Sequence, residues 1–174
     1  MFRQVRKHGP VRGIVHGAGV ETTGRIEKKT TEAVRATVGP KSIGTLALME
    51  EASADPLEFF VAFGSLAGRF GGIGQADYAL ANDLQAKLVG WHRSQRPECK
   101  SVLMHWPGWT DVGMSARPGS RRRLTAHGHR FLSCDDGVRF FLHELACGAQ
   151  HVEVAIIDAD ELPVAWQDSG TTEA

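Results

Sequence analysis

The sequence has no excess of charge of either sign and no long apolar run. Its 20 Lys and Arg residues balance its 20 Asp and Glu residues over 174 positions, so no overall field attracts nucleic acid or an anionic membrane. No stretch approaches the roughly 20 apolar residues of a membrane span. The basic start, residues 1–12, lacks the apolar core of a signal peptide. We therefore expect a soluble, cytoplasmic protein with neither a nucleic-acid nor a membrane partner.

Cysteine pairs at useful spacing are also missing. Cys99, Cys134 and Cys147 are an odd set without a CxxC motif, which favours free thiols in a reducing compartment over a disulfide framework. His127 and His129 have no third ligand nearby and do not match the HExxH spacing. The sequence therefore predicts no metal site.

The most informative stretch is an apolar run followed by a glycine-rich loop and a helical pattern. Residues 58–63 predict a strand buried on both faces, and this strand ends at the small polar residue Ser65. Residues 76–95 predict a helix that carries Tyr78 and Asn82 one turn apart on the same face. Because open α/β sheets bind ligands at the carboxyl ends of their strands, we expect Ser65 and Tyr78 to converge on one polar atom.

Strands and helices alternate along the rest of the chain. Further apolar runs predict strands at 11–15, 101–106 and 152–157. Helical patterns cover 31–54, 121–129 and 135–146, and the first of these helices should bend at 39–40. Residues 109–118 are typical of a loop or lid. The alternation predicts an α/β fold with a four-stranded parallel sheet covered by helices on both faces.

Four side chains in this arrangement suit the reduction of a carbonyl group. Ser65 can donate a hydrogen bond to a carbonyl oxygen, and Tyr78 can deliver a proton as that oxygen becomes an alkoxide. A free tyrosine has a pKa near 10, and a neighbouring ammonium would lower it; Lys41 is the candidate. Asn82 can hold a relay water or orient the lysine.

These residues lie within motifs that resemble one family. The sequence resembles the ketoreductase domain of modular polyketide synthases and fatty acid synthases, within the short-chain dehydrogenase/reductase superfamily. The likeness extends over roughly residues 5–163, and Lys41 lies upstream of Ser65, Tyr78 and Asn82, as in the polyketide branch. The motifs that carry it are His16-Gly17-Ala18-Gly19-Val20, Pro40-Lys41-Ser42-Ile43-Gly44-Thr45, Phe63-Gly64-Ser65-Leu66-Ala67-Gly68, Gly74-Gln75-Ala76-Asp77-Tyr78-Ala79-Leu80-Ala81-Asn82, Trp106-Pro107-Gly108-Trp109 and Val112-Gly113-Met114.

The resemblance implies NADPH-dependent reduction of a β-ketoacyl thioester carried on an acyl carrier protein. It makes Tyr78 the general acid and Ser65 the ligand of the ketone, and it assigns Lys41 and Asn82 to the proton relay and the nicotinamide ribose. Met114 would lie in a lid over the substrate. The residues that the resemblance assigns to the cofactor are His16, Gly17, Ala18, Gly19, Pro107 and Gly108.

Two departures from the family pattern have consequences. Glu21-Thr22-Thr23 stand where the family often has Leu-Asp-Asp, which leaves the stereochemistry of the hydroxyl product open. No GxGxxG follows a first strand, so residues 1–166 resemble the C-terminal part of a ketoreductase, followed by a polar tail at 167–174. The implied fold is a partial Rossmann-like doubly wound sheet whose N-terminal strands are missing. The expected partners then include a separate N-terminal ketoreductase half or other synthase modules. Alone, the chain is expected to bind NADPH weakly and to self-associate through its first strand.

Two other function classes stay open at this point. The chain can be a non-catalytic docking remnant of a synthase, which the missing fingerprint favours. It can also be a serine hydrolase, with Ser65 as nucleophile and Asp111 and His127 as partners, although GxSxG requires glycine where Phe63 stands. The arginines at 121–123 are either a solvated face or a surface for carrier docking.

Overall fold

A computed structural model describes residues 1–147 and 151–157 of the chain. The α-helices in this part are α1 Phe2–Val5, α2 Thr31–Glu51, α3 Ala67–Phe70, α4 Ala76–Gln95, α5 Pro118–Ala126 and α6 Cys134–Ala146. The strands are β1 Gly13–His16, β2 Phe59–Ser65, β3 Lys100–Trp106, β4 Gly108–Trp109, β5 Phe131–Leu132 and β6 Glu153–Ala155. Short 3₁₀ turns occupy Arg6–His8, Ile26–Lys28 and Met114–Ala116.

The main sheet has four parallel strands in the order β1-β2-β3-β6, which confirms the predicted α/β class. The register pairs His16 with Ala62 and Ser65 with Trp106. The carboxyl ends of β1, β2 and β3 therefore lie along one edge of the sheet. The segments that follow these strands begin at Gly17, Leu66 and Pro107, and they all start from that edge.

The two faces of the sheet bury separate apolar clusters because side chains alternate along each strand. Phe60 and Ala62 of β2 point toward α2 and α4, where they join a cluster that includes Met49 and Val89. On the opposite face Val61 joins a second cluster, against which half-buried residues of α6 and of residues 109–132 pack. Helices thus cover both faces, as the sequence predicts.

Helix α2 begins at a clear capping signal and then continues through a proline. The Thr30 hydroxyl accepts a hydrogen bond from the Ala33 N–H at 3.2 Å, which satisfies one free donor of the first turn. Residues 39–40 do not interrupt the helix, because Pro40 lies inside one continuous helix. Tertiary packing outweighs the local penalty of proline here, since Thr37 and Thr45 on either side of it are completely buried.

Strand β1 occupies Gly13–His16 instead of the predicted 11–15, and it is only partly buried. It pairs with β2 on one side, and its residues alternate between buried Ile14 and exposed Val15, which is 49% exposed. Within the described residues no strand pairs with the other side of β1. A cavity of about 860 Å³ runs along this side and is lined by residues of α1, β1 and α2.

The sequence did not predict a small second sheet. β4 and β5 pair over two residues each and bracket residues 107–132, which we call the cover segment. The ring of Trp109 is seated on α6, where a Cβ on Gly137 would lie only 2.3 Å from Trp109 Cη2. Trp109 also packs edge-on against Trp106, with ring centroids 5.0 Å apart. These contacts attach the cover segment to the sheet.

The remaining boundaries lie close to those predicted. The helix over residues 76–95 is confirmed at Ala76–Gln95, and the last strand is shorter than predicted, at Glu153–Ala155. The predicted polar tail, 167–174, lies outside the described residues. None of the described helices is both long enough and apolar enough to cross a membrane.

Candidate active site

A cavity of about 650 Å³ opens at the carboxyl edge of the sheet. The end of β2 provides Ser65, the first turn of α4 provides Tyr78, and α2 contributes Lys41. The cover segment lines the opposite side. The other predicted site residues on this cavity are Gly17, Gly19, Pro107, Gly108 and Met114.

Tyr78 is almost completely buried beside this cavity, with 7% of its surface exposed. Burial raises the pKa of its phenol, because the charged phenolate loses hydration, and the nearby carboxylate of Glu21 raises it further. The polar side chains of Asn82 and Ser65 lower this pKa, but less than burial raises it. Tyr78 is therefore a protonated phenol at neutral pH, on the same cavity as the hydroxyl that ends β2.

Lys41 is buried behind the cavity, and its ammonium is bound to other groups than the phenol. Its Nζ donates to the Phe63 carbonyl at 2.6 Å and to Gln85 Oε1 at 3.1 Å. Burial lowers the pKa of Lys41 to about 8. Lys41 is not among the groups that shift the pKa of Tyr78, and the net shift is upward, so the expected lowering by Lys41 stays a prediction.

Asn82 lies one helical turn after Tyr78 and is completely buried. Its Nδ2 donates to the backbone carbonyl of Tyr78 at 2.7 Å. Its Oδ1 has no hydrogen-bond partner in the described residues, although it is shielded from water. A buried acceptor without a partner is costly, and a bound water would satisfy it.

His16 and Ala18 are placed differently from the other residues that the resemblance assigns to a cofactor. Both line the second cavity, beside β1, whereas Gly17 lines both cavities. The His16 ring nitrogen Nε2 is 3.1 Å from the Pro40 carbonyl, which ties β1 to α2. Burial lowers the pKa of His16, which favours the neutral ring with Nε2 as donor.

Gln85 and Thr45 support Lys41, and we did not predict either residue. Gln85 Nε2 donates to Thr45 Oγ1 at 3.2 Å, and Thr45 Oγ1 donates to the Lys41 carbonyl at 2.5 Å. The signal was present in the spacing, because positions 78, 82 and 85 share one face of α4. A polar residue on the buried face of a helix needs a partner, and Gln85 finds one in Lys41.

A polar bridge joins the cover segment to the loop after β1 and was also not predicted. Glu21 Oε1 accepts from Gln75 Nε2 at 3.1 Å and lies 3.6 Å from Arg123 Nη2. Arg123 also donates to the Thr23 hydroxyl. Because Arg123 forms this bridge, the arginines at 121–123 are not simply a solvated face. The residues after β1 that form the bridge, Glu21 and Thr23, lie where the sequence departs from its family pattern.

A buried ion pair stands directly beside Tyr78. Lys29 Nζ lies 2.5 Å from Asp77 Oδ1, and the side chains of these residues are 6% and 0% exposed. Asp77 Oδ1 also accepts from the Tyr78 N–H at 2.9 Å. Sequence reasoning missed the pair because its members are 48 residues apart and neither carries a motif of its own.

The described contacts do not assemble a hydrolase triad. Ser65 Oγ accepts from the Ala67 N–H at 3.2 Å, and the His127 ring nitrogen Nδ1 lies 2.8 Å from the Arg123 carbonyl of its own helix. Among the residues described, no histidine hydrogen-bonds the Ser65 hydroxyl; His105 Nδ1 lies 3.0 Å from the Ser65 backbone carbonyl instead. The same residues contain no cluster of three or more side chains placed to hold a metal ion.

Comparison with known proteins identifies the family of the chain. The family described as the KR domain matches residues 1–111. The polyketide synthase PksM of Bacillus subtilis (strain 168) is 33% identical over 152 residues, which are 86% of this chain and 4% of that protein. A crystal structure of a ketoreductase domain from the bacillaene assembly line is 30% identical, with a TM-score of 0.77, over 88% of this chain and 38% of that one.

The fold is shared more widely. A short-chain dehydrogenase from Burkholderia cenocepacia J2315, solved in complex with NADP, has a TM-score of 0.72 at 19% identity, over 89% of this chain and 68% of that one. The chain thus spans a small part of the polyketide synthases that it matches and about a third of their ketoreductase structures. It belongs to the KR domain family, the ketoreductases of polyketide synthases within the short-chain dehydrogenase/reductase superfamily.

Proposed function

We propose that this chain carries the proton-delivering part of a reductase that converts a β-ketoacyl thioester on an acyl carrier protein into the β-hydroxyacyl thioester, with NADPH as the reductant. One observation carries the proposal: Ser65 and the protonated phenol of Tyr78 line one cavity, at the edge of the sheet where its strands end. Both groups can donate a hydrogen bond to the same carbonyl oxygen.

Each of the four polar residues has a role that follows from its surroundings. Ser65 holds the ketone oxygen, and Tyr78 transfers its proton to that oxygen as negative charge develops on it. The raised pKa of Tyr78 keeps the proton on the phenol at neutral pH, as a general acid requires. Lys41, whose pKa is about 8, exchanges a proton with solvent near neutral pH and can resupply the phenol through a water held by Asn82.

The residues around the cavity fit the reduced nicotinamide end of the cofactor. Asn82 does not line the cavity, and its Oδ1 is a buried acceptor that lacks a partner among the described residues; a bound water would satisfy it. Gly19 lies against Lys41, since a Cβ on Gly19 would be 3.1 Å from Lys41 Cε, so a residue with a side chain would crowd this part of the cavity. Gly17, Gly19, Pro107 and Gly108 would hold the cofactor beside Ser65. When bound, NADPH supplies the hydride that reduces the ketone carbon.

The second cavity suggests how a larger ketoreductase is completed. It runs beside β1, and His16 and Ala18 line it together with residues of α1 and α2. We propose that further ketoreductase strands pair with β1 there and bring the pyrophosphate-binding turn, since the solved ketoreductases are much longer than this chain. Carrier protein and neighbouring synthase modules would be the other partners, as expected for a relative of multi-domain synthases.

Transfer of a labelled hydride tests the proposal. The chain is incubated with NADPH deuterated at C4 and a short β-ketoacyl thioester, alone and with the N-terminal part of the bacillaene ketoreductase added. Deuterium on the β-carbon of a β-hydroxyacyl product supports the proposal. No labelled product under either condition, although the two parts bind each other, would favour a non-catalytic docking role instead.

A further inference from the structure

The Lys29–Asp77 ion pair is unusual because both charges are withdrawn from water next to the site. Lys29 follows the 3₁₀ turn before α2, and Asp77 lies in the first turn of α4. Their side chains are 6% and 0% exposed, and Lys29 Nζ also donates to the Thr22 carbonyl. Exposed pairs elsewhere are quite different: Arg12 and Glu58 pair with side chains that are 65% and 60% exposed.

A contribution to folding stability does not by itself explain why such a buried pair is present. Desolvation of two charges offsets most of their attraction, so a buried pair often contributes little compared with apolar side chains of similar size. A buried pair does fix the relative position of the two segments that carry it. Here those segments are the loop before α2 and the start of α4, one residue before Tyr78.

The contacts of Asp77 lead directly to Tyr78. Asp77 Oδ1 accepts both from Lys29 Nζ, at 2.5 Å, and from the Tyr78 N–H, at 2.9 Å. Gln75, which precedes α4, provides no side-chain cap, so Asp77 binds a free N–H that would otherwise lack a partner. A second tether lies close by, where the Gly24 N–H donates to the Gly74 carbonyl at 2.9 Å.

We propose that Lys29 and Asp77 are positioning residues for Tyr78: their ion pair clamps the first turn of α4 to the loop of residues 22–29 and so aims the phenol at Ser65. The clamp also keeps this loop, with Glu21 near its start, against the cavity. Neither residue touches the reacting atoms. The effect on turnover rests on the proposed function, whereas the effect on Tyr78 itself does not.

Tyr78 can be observed directly because the chain contains one tyrosine. Tyrosine labelled with ¹³C at Cζ gives a single NMR signal, and its broadening by a soluble gadolinium chelate measures exposure of the phenol. The variants are Lys29→Met, Asp77→Asn and the double variant, in the full chain. Arg12→Met, which breaks an exposed ion pair at the opposite end of β2 from Ser65, is the matched control.

The double variant separates positioning from mere stability. Each single change leaves one buried charge without its partner and should lower the melting temperature, whereas the double variant carries no lone charge and should recover it. With positioning, the double variant still has a shifted Cζ signal and a phenol at least twice as accessible to the chelate. Recovery of both the melting temperature and the native Tyr78 signal would overturn the proposal.

Kinetics provide a second readout. In a form that turns over, the double variant should lower kcat by roughly 10- to 100-fold while the KM for NADPH stays within about twofold, because only the acid is misplaced. Arg12→Met should change neither quantity. If the unmodified chain shows no turnover under any condition, the proposed function fails while the NMR comparison still decides the role of the pair. An unshifted Tyr78 signal in all three variants would reject it.

Discussion

The cavity is bounded by two regions that are built very differently. One is the inner wall, formed by β2, α2 and α4, where Lys41, Tyr78 and Asn82 are all buried. The other is the cover segment, residues 107–132, in which every residue is half-buried or exposed. Its regular structure consists of two two-residue strands, one 3₁₀ turn and one nine-residue helix.

The difference shows how the site divides its tasks. The polar groups of the inner wall lie on long elements and hold one another, as Lys41 does with Phe63 and Gln85. The cover segment depends on a few outside contacts, chiefly Trp109 on Gly137 and the bridge from Arg123 to Glu21. A region with few buried apolar contacts opens at lower free energy than a core, so the cover can open while the wall stays folded.

The largest expected effect removes the acid from the inner wall. Tyr78→Phe deletes the phenolic proton donor and keeps the ring that fills the site. In a form that turns over, the rate of the reduction step should fall by two to four orders of magnitude while NADPH affinity changes little. Single-turnover kinetics and a binding titration measure the two quantities. Rapid reduction by the Phe variant would remove Tyr78 from the mechanism.

A glycine in the inner wall gives the next largest effect, on stability. A Cβ on Gly64 would lie 2.6 Å from Leu103 Cδ2 and 3.3 Å from His105 Nδ1, both on the neighbouring strand and both buried. Gly64→Ala should therefore lower the free energy of unfolding by about 1–3 kcal/mol. Urea unfolding of both proteins checks this, and Gly39→Ala, where a Cβ meets nothing within 4 Å, is the matched control in α2.

The corresponding glycine beneath the cover segment should act locally. A Cβ on Gly137 would displace the Trp109 ring, so Gly137→Ala should loosen the cover by about 1 kcal/mol or more and leave global unfolding nearly unchanged. Limited proteolysis should then cut within residues 107–132 several times faster than in the unmodified chain. An equal loss of global stability in Gly137→Ala and Gly64→Ala would show that the two regions unfold together.

The smallest effect concerns the pH dependence of stability. Lys41 has a pKa of about 8 when folded, against 10.5 for an ordinary lysine, so the unfolded chain binds more protons between those values. Stability attributable to Lys41 therefore rises with pH, by about 1 kcal/mol from pH 7 to pH 9. Lys41→Met should lack this rise. Parallel stability curves for the two proteins over that range would contradict the pKa assigned to Lys41.

The same division explains what the sequence could predict. Sequence periodicity predicted the strand and helices of the inner wall well, because these elements are long and their buried faces repeat regularly. Lys41 was found through the family motif instead. Periodicity did not show that α2 continues without a break through Pro40, where packing outweighs a local rule. It also missed β4 and β5, which are too short to carry a pattern. The pairs Lys29–Asp77 and Glu21–Arg123 join distant positions, so only the folded chain reveals them.

The direction of the Tyr78 pKa was the least predictable property of the site. The residue types suggested an ammonium beside a phenol. The pKa of Tyr78 depends on which acceptors the ammonium of Lys41 binds, and these are a backbone carbonyl and a side-chain amide oxygen. Burial then dominates at Tyr78. Sequence spacing brings side chains to one region of the fold, but their hydrogen-bond partners are set by distances of a few tenths of an ångström.

Native-state hydrogen exchange tests the separation of wall and cover most directly. Amide protons of β2 and of α4 around Asn82 should exchange only through global unfolding, with a strong dependence on denaturant. Amides of α5 in the cover segment should exchange at a free energy several kcal/mol lower and with little dependence on denaturant. Equal protection of α5 and β2, with the same denaturant dependence, would contradict the account of a stable wall beneath a cover that opens on its own.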